Sequence, residues 1–329
     1  MRARELRGAI LPRLMRGAGR PHGGGRRPAV TAVVLTHRRP RLAARTVRML
    51  LEQERFDPRD VVVVVNGVGG LDDPTLESAV DVIRTGSNLG PAGGFAVGLR
   101  RAHEMHSPEW VYVCEDDVAL LKLPTPRVES VIERARAAVA EGHPIGAVVA
   151  YGRRLDWRTG RSVPHVPGAD ELESVDVAAW GASLVHRSVL DANIFPDADL
   201  FFGYEDFDFF LAMQRAGFRV VVDTEAERAV AHQVTDSGRA VTFAGERPND
   251  GAEQWRHYYR ARNFIVLSRR YGRRRWRVLD LALSLRRWQY SGWSLAAGRA
   301  IVSGLRDGYT GRLGPHGAWQ RTMGELSGD

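Results

Sequence analysis

The sequence predicts an α/β fold: a mixed, mostly parallel sheet flanked by helices. Three observations carry that expectation. Short apolar runs, such as Val33-Val34-Leu35, Val61-Val62-Val63-Val64-Val65 and Val111-Tyr112-Val113-Cys114, lack the apolar–polar alternation of a half-exposed strand; continuous runs belong to strands covered on both faces. Apolar residues at helical spacing alternate with them, as in successive strand–helix–strand units. The first runs also end in polar residues, Thr36, Asn66 and then Glu115-Asp116-Asp117. Ligands of such sheets bind beyond the carboxyl ends of the strands.

Order is expected to begin with a strand at 29–35. A helix follows in which Leu42, Val47, Leu50 and Leu51 share a stripe. The five-valine run is the second strand, and 80–84 the third. Residues 91–106 read as a helix, 110–114 as the fourth strand, 125–141 as a helix and 145–150 as the fifth strand. The pattern then changes. Residues 153–174 are polar, with Gly and Pro, and suggest a loop or irregular hairpin. A strand resumes at 175–181 and runs towards Val185. Residues 204–217 read as a helix ended by Gly217. Strands are expected at 219–222 and 228–231, and two helices, broken near Tyr271-Gly272, from about 252 to 306.

Composition sets limits. At 44% hydrophobic residues the 329-residue chain can bury a substantial core. Its single cysteine, Cys114, excludes an intramolecular disulfide framework and fits a reducing compartment. No run of 18 apolar residues occurs, and the basic N-terminus lacks the apolar stretch of a secretory signal. Charge is segregated: net +7 over 1–28, −9 over 29–250, +11 over 251–306 and −1 thereafter. An acidic middle argues against a nucleic-acid-binding core. The basic ends either meet a phosphate-bearing surface or reflect a general preference for Arg, since Lys122 is the only lysine. The expected division is a flexible basic tail at 1–28, a catalytic domain at 29–250, a helical extension at 251–312 and a tail at 313–329.

The acid triplet is the first chemical signal. Three adjacent carboxylates repel one another and call for a counter-charge. They form either a polar strand-end turn within an ion-pair network or a site for a hard divalent cation, Mn²⁺ or Mg²⁺, whose remaining positions take water or phosphate. Asn88-Leu89-Gly90-Pro91-Ala92-Gly93-Gly94 is a Gly-rich turn before a helix. It reads as a plain helix start or as a place where backbone approaches an anion; it fits neither the Walker nor the dinucleotide pattern. Tyr204-Glu205-Asp206-Phe207-Asp208 is a second acidic cluster, at a helix start whose dipole favours negative charge. Its aromatic neighbours could desolvate one carboxylate and tune it as a general base. His232 follows the expected strand at 228–231, as a structural histidine or as a cation ligand.

In order and spacing these segments resemble glycosyltransferase family 2, the inverting nucleotide-sugar enzymes of the GT-A fold. The resemblance covers about 30–312 and includes Trp180-Gly181-Ala182. Tyr258-Tyr259-Arg260-Ala261-Arg262-Asn263 and Gly304-Leu305-Arg306-Asp307-Gly308-Tyr309-Thr310-Gly311-Arg312 resemble a bacterial subgroup that includes rhamnosyl- and galactofuranosyl-transferases of cell-surface glycans. It implies a UDP- or dTDP-sugar donor and a glycan or lipid-linked acceptor. Asp206 would be the base. Glu115, where the family usually has Asp, would join Asp117 and His232 in holding Mn²⁺ or Mg²⁺. Thr36, Asn66, Asn88, Gly90, Gly93 and Asp116 would lie by the donor, and Trp180, Gly181 and Glu205 by the acceptor. Trp276, Trp288, Tyr290 and Trp293 among arginines suit either an anionic membrane face or a packed helical core. The expectation is a cytoplasmic protein held peripherally at the inner face of the cell membrane, binding no nucleic acid. Two other readings compete. A nucleotidyltransferase making nucleotide-sugars would carry a Gly-rich loop after the first strand, where this chain has Thr36-His37-Arg38-Arg39-Pro40. A non-catalytic basic adaptor would not need two acid clusters.

Overall fold

A computed structural model describes residues 30–121, 123–139, 144–236, 254–272 and 274–317. The expected N-terminal tail at 1–28 lies outside them. Ten strands are described: β1 (Val30–Thr36), β2 (Val61–Val65), β3 (Asp81–Arg84), β4 (Trp110–Glu115), β5 (Ile145–Val149), β6 (Arg153–Asp156), β7 (Arg161–Pro164), β8 (Leu172–Ser174), β9 (Ser183–His186) and β10 (Arg219–Asp223). Eight of them form one sheet in the order β3-β2-β1-β4-β9-β5-β10-β8; β6 and β7 form a separate hairpin. β3, β2, β1 and β4 are mutually parallel, as are β5 and β10. β9 runs antiparallel between β4 and β5, and β8 antiparallel at the edge. This is the mixed, mostly parallel sheet that the apolar runs predict.

Side chains of a strand point alternately to its two faces, so a continuous apolar run feeds two cores. Val61, Val63 and Val65 enter one core with Ala43, Val47 and Leu50 of α1 (Pro40–Glu52). Val62 and Val64 enter the other with Phe95 and Leu99. Those two residues belong to α3 (Gly90–Arg101), which follows the short α2 (Pro74–Ala79). After α4 (Val128–Val139) and α5 (Arg187–Asp191) come α6 (Glu205–Arg215) and α7 (Thr224–Asp236). Gly217, at φ +94°, lies just beyond α6, as expected.

Three expectations need correction. Residues 228–231 are not a strand but the middle of α7. Among the described residues of α7, Ala226 and Val230, one turn apart, enter the core, and three apolar residues in a row, Ala229-Val230-Ala231, do not by themselves separate strand from helix. The strand expected from 175 is confined to β9. Before it the chain is irregular and bridges the hairpin only at Arg153–Val177, and Ala182 at φ +47° breaks the extended path. Among the described residues the C-terminal region holds three helices rather than two: α8 (Gln254–Arg270), α9 (Arg274–Tyr290) and α10 (Leu295–Thr310). The break near Tyr271-Gly272 is present. A second lies before Ser294, whose hydroxyl accepts from Ala297 N at 3.4 Å and caps α10. α10 packs along α8, where Tyr258 Oη donates to Asp307 Oδ2 at 2.7 Å. α8 and α9 share Phe264, Leu267 and Trp276 with Leu211 of α6 in a third core.

Candidate active site

Strand register brings the polar strand ends together. Thr36 pairs with Val65, and Leu35 with Glu115, so Thr36, Asn66 and Asp116 emerge side by side. Asn66 N donates to Thr36 O at 2.8 Å. The Asn66 side chain organises the glycine turn. Its Oδ1 accepts from Leu89 N at 2.8 Å, and its Nδ2 donates to Gly90 O and to Asn88 Oδ1, both at 3.1 Å. Asn88 Oδ1 also accepts from Gly90 N at 2.8 Å. His37 Nδ1 lies 2.6 Å from Asn66 O. These bonds hold the loops after β1, β2 and β3 as one frame around the start of α3. Gly90, at φ +69°, is required there: a Cβ would fall 2.1 Å from Phe201 O. Gly93 lies one turn into α3, buried.

The three acids of the triplet do different work. Asp116 is 0% exposed. Its Oδ2 accepts from Thr36 Oγ1 at 2.6 Å, its Oδ1 lies 2.6 Å from Arg39 Nη2, and its carbonyl accepts from Thr46 Oγ1 at 2.7 Å. Burial lifts its pKa to about 6 against the pull of Arg39 and Thr36. Asp117 keeps 41% of its side chain exposed and pairs with Arg39 Nη1 at 3.0 Å. Glu115 is pushed up to about 8, first by burial and then by Asp117, opposed by Arg39, with Asp116 and Asp206 adding to the rise. Arg39, to which the sequence reading gave no role, is thus the cation that holds the triplet together.

That influence of Asp206 accords with the packing of the turn before α6 on the strand-end frame, where Phe201 O accepts from Ala92 N at 3.3 Å. Burial and then the Asp206 charge hold Glu205 well above the usual carboxylate range, with Glu115 contributing. Tyr151 feels Glu115, Asp206 and Asp117 alike. Asp206 itself is lifted to about 7 by burial, restrained by a hydrogen bond from Phe207 N and by Arg153 and Arg260. Glu205 is buried at the first position of α6, and its Oε2 has no hydrogen-bond partner among the described residues. Asp208 turns away, to Arg270 Nη1 at 2.8 Å. Before the helix, Phe201, Gly203 and Tyr204 all have positive φ, at 60°, 79° and 67°. For the two non-glycine residues this costs on the order of 1–3 kcal/mol each, so neighbouring structure must hold the turn.

The remaining expected residues divide. Gly181 backs onto the Tyr151 hydroxyl, which a Cβ would approach to 2.3 Å. Trp180 is 4% exposed and stacked among Phe95, Phe209 and Phe210, with centroids 4.4, 5.4 and 6.1 Å away. It is a wall behind α6 rather than an open ring. His232 lies on α7 instead of at a strand end, and its side chain is outside the described residues. Among the described residues no three His, Cys, Asp or Glu side chains form a cation cage on their own. Glu115 and Asp117 nevertheless offer hard oxygen donors that suit a divalent cation, crowded together with Arg39 as their compensating charge.

No protein-family model matches the chain. A sheet with an acid-lined carboxyl edge, taken with its curated relatives, makes it similar to glycosyltransferases. Within that class it resembles mycobacterial galactofuranosyltransferases. It is 28% identical over 202 residues to galactofuranosyltransferase GlfT1 of two Mycobacterium tuberculosis strains, covering 57% of this chain and 66% of the relatives, slightly under two thirds of their length. It is 24% identical over 297 residues to GlfT1 of Mycolicibacterium smegmatis, covering 84% of this chain and 93% of the relative. A crystal structure of GalNAc-T7 with UDP, GalNAc and Mn²⁺ is similar over 61% of this chain and 43% of its own, at 12% identity and a TM-score of 0.47.

Proposed function

We propose that this chain is an inverting glycosyltransferase. It moves a sugar, galactofuranose first among the candidates, from a UDP- or dTDP-linked donor to a hydroxyl of a cell-surface glycan or lipid-linked acceptor. The carrying observation is that the turn before Asp206 packs on the glycine turn of the strand-end frame, with Ala92 N donating to Phe201 O at 3.3 Å, while Asp206 adds to the rise of Glu115 on the triplet. It supports a single pocket with acids from two distant segments.

In this reading the frame of Thr36, Asn66, Asn88, Gly90 and Gly93 seats the nucleotide. Asp116 is spent on Thr36 and Arg39 and keeps the loops after β1 and β4 in register. Glu115 and Asp117, with His232 as third ligand, would hold Mn²⁺ or Mg²⁺. When bound, that cation would offset charge developing on the leaving diphosphate. Asp206 takes the proton of the acceptor hydroxyl, whose pKa lies far above 7. Attack opposite the leaving group inverts the anomeric carbon. Glu205, buried beside the base with Oε2 unpaired among the described residues, faces the acceptor. Gly181 leaves room in front of Tyr151, and Trp180 steadies the wall behind.

The proposed membrane contact is narrower than the sequence suggested. Trp276 is 1% exposed and belongs to the core, and Trp288 packs on Trp293 at 5.1 Å. Val278, Leu281 and Leu285 instead form an exposed apolar stripe on α9, beside exposed Arg275, Arg286, Tyr290 and Trp293. Among the described residues no helix is long and apolar enough to cross a membrane. A peripheral stripe of this kind suits an anionic surface. Leu281→Glu/Leu285→Glu should lower co-sedimentation with phosphatidylglycerol vesicles; equal binding by both proteins refutes the contact.

A donor screen tests the activity. UDP-galactofuranose, dTDP-rhamnose and GDP-sugars are each incubated with and without Mn²⁺, and hydrolysis and thermal stabilisation are read. Metal-dependent turnover of a UDP- or dTDP-sugar is the expected result. Inertness towards all of them removes the proposal.

A further inference from the structure

The turn before Asp206 does not hold itself. Of the carbonyls from Asp199 to Gly203, only that of Leu200 takes a bond from within the turn, from Phe202 N at 2.7 Å. The remaining bonds come from elsewhere, chiefly from two adjacent residues of α8 that are both 0% exposed. Asn263 Nδ2 lies 2.8 Å from Leu200 O, 2.9 Å from Phe202 O and 2.7 Å from Gly203 O. Arg262 Nη2 lies 2.7 Å from Leu200 O and 3.2 Å from Asp199 O. The remaining carbonyl, of Phe201, accepts from Ala92 N at 3.3 Å, at the start of α3 beside the glycine turn.

The pair is itself fixed. Arg262 Nε donates to Asn263 Oδ1 at 2.8 Å, which turns the amide so that its donors face the turn. The guanidinium lies 4.8 Å from the centroid of Tyr259, and that ring packs on Phe201 at 4.8 Å. Burying an arginine and an amide is costly unless their donors are used. Here they are used on a backbone segment with three positive φ angles immediately before Asp206.

We propose that Arg262 and Asn263 are positioning residues: a carbonyl clamp by which the C-terminal helices fix the turn 199–204 and so aim Asp206 at the acceptor hydroxyl. The inference deepens the proposed function and rests on Asp206 being the base. It gives the Arg260-Ala261-Arg262-Asn263 segment a catalytic purpose, although neither clamp residue touches substrate. It also makes the catalytic fold incomplete without α8.

Asn263→Asp is the sharpest variant, because it keeps the acceptor for Arg262 Nε and removes the NH₂ donor. Gly203→Ala strains the same turn, at φ +79°, and leaves both clamp residues intact, since its Cβ would meet only Arg260 of α8, at an ordinary contact distance of 3.4 Å from Cγ. Ser268→Ala, which removes a buried hydroxyl that among the described residues bonds within α8 at Ile265 O, controls for helix stability. Steady-state turnover of the donor that the wild type uses in the screen above, and hydrogen–deuterium exchange of the 199–206 peptide, are measured on all three. A misplacement of about 1 Å costs roughly a hundredfold in rate, so Asn263→Asp and Gly203→Ala should lose about that in kcat with donor KM within about threefold. Exchange at 199–206 should rise in both and stay at the wild-type level in Ser268→Ala. An active wild type with kcat unchanged in Asn263→Asp overturns the clamp alone, as does equal exchange in Asn263→Asp and Ser268→Ala. A wild type inert towards every donor overturns the base assignment and the clamp with it.

Discussion

Asp206→Asn is expected to lower kcat by roughly 10²–10⁴-fold, the usual contribution of a positioned general base, while nucleotide affinity stays near the wild-type value. The two effects separate because Asp206 sits at the start of α6, whereas the strand-end frame is built on Thr36, Asn66 and Asn88. The amide fills the same space and removes only the proton acceptor. The pH dependence adds a second readout. Burial lifts Asp206 to about 7, and only the ionised form can act as base. In the wild type kcat should therefore fall as pH drops through about 7 and level off above it. The residual activity of Asp206→Asn should lose that limb. A variant that turns over normally, or that keeps the same acid limb, means another group is the base.

Asp117→Ala should produce the largest change in metal-dependent binding. Asp117 is the half-exposed member of the triplet, with Arg39 as its ion-pair partner. Asp116, by contrast, is buried under Thr36, Arg39 and Thr46, and its loss should cost stability first. Replacing even an outer-shell partner of a metal site costs about 10–100-fold, so loss of a direct oxygen donor should weaken Mn²⁺-dependent UDP or dTDP binding by at least about tenfold. Metal-free affinity should hardly move. Calorimetric titration of UDP and dTDP, with and without Mn²⁺, reads both. Unchanged Mn²⁺-dependent affinity removes Asp117 from the metal site.

Much of this arrangement was legible in the chain because its signals are local. The five-valine run, short and β-branched throughout, favoured a strand covered on both faces, and the polar residues at the ends of β1, β2 and β4 met as parallel topology requires. The acids at 115–117 and 205–206 were each conspicuous, and only the fold could show that Glu115 senses Asp206. What stayed hidden is what depends on tertiary partners. Arg39 looked like a turn residue until its guanidinium met Asp116 and Asp117. Residues 228–231 read as a strand because three apolar residues after Arg228 carry no period; the burial of Ala226 and Val230 one turn apart in α7 settles it. Trp180, expected by the acceptor, packs as a core ring, since exposure is a property of neighbours such as Phe95 and Phe209. The clamp was out of reach for the same reason: nothing near Asn263 in sequence says that its amide serves carbonyls some 60 residues earlier.

Paramagnetic broadening by Mn²⁺ tests most directly whether the triplet and the start of α6 face one pocket. Backbone amide signals are recorded for the wild type and for Asp117→Ala, with UDP and increasing Mn²⁺. Signals from Thr36, residues 115–117 and residues 203–208 should broaden together in the wild type and recover together in Asp117→Ala. Broadening at 115–117 that leaves 203–208 sharp would contradict the account, because the carboxylates would then serve separate surfaces.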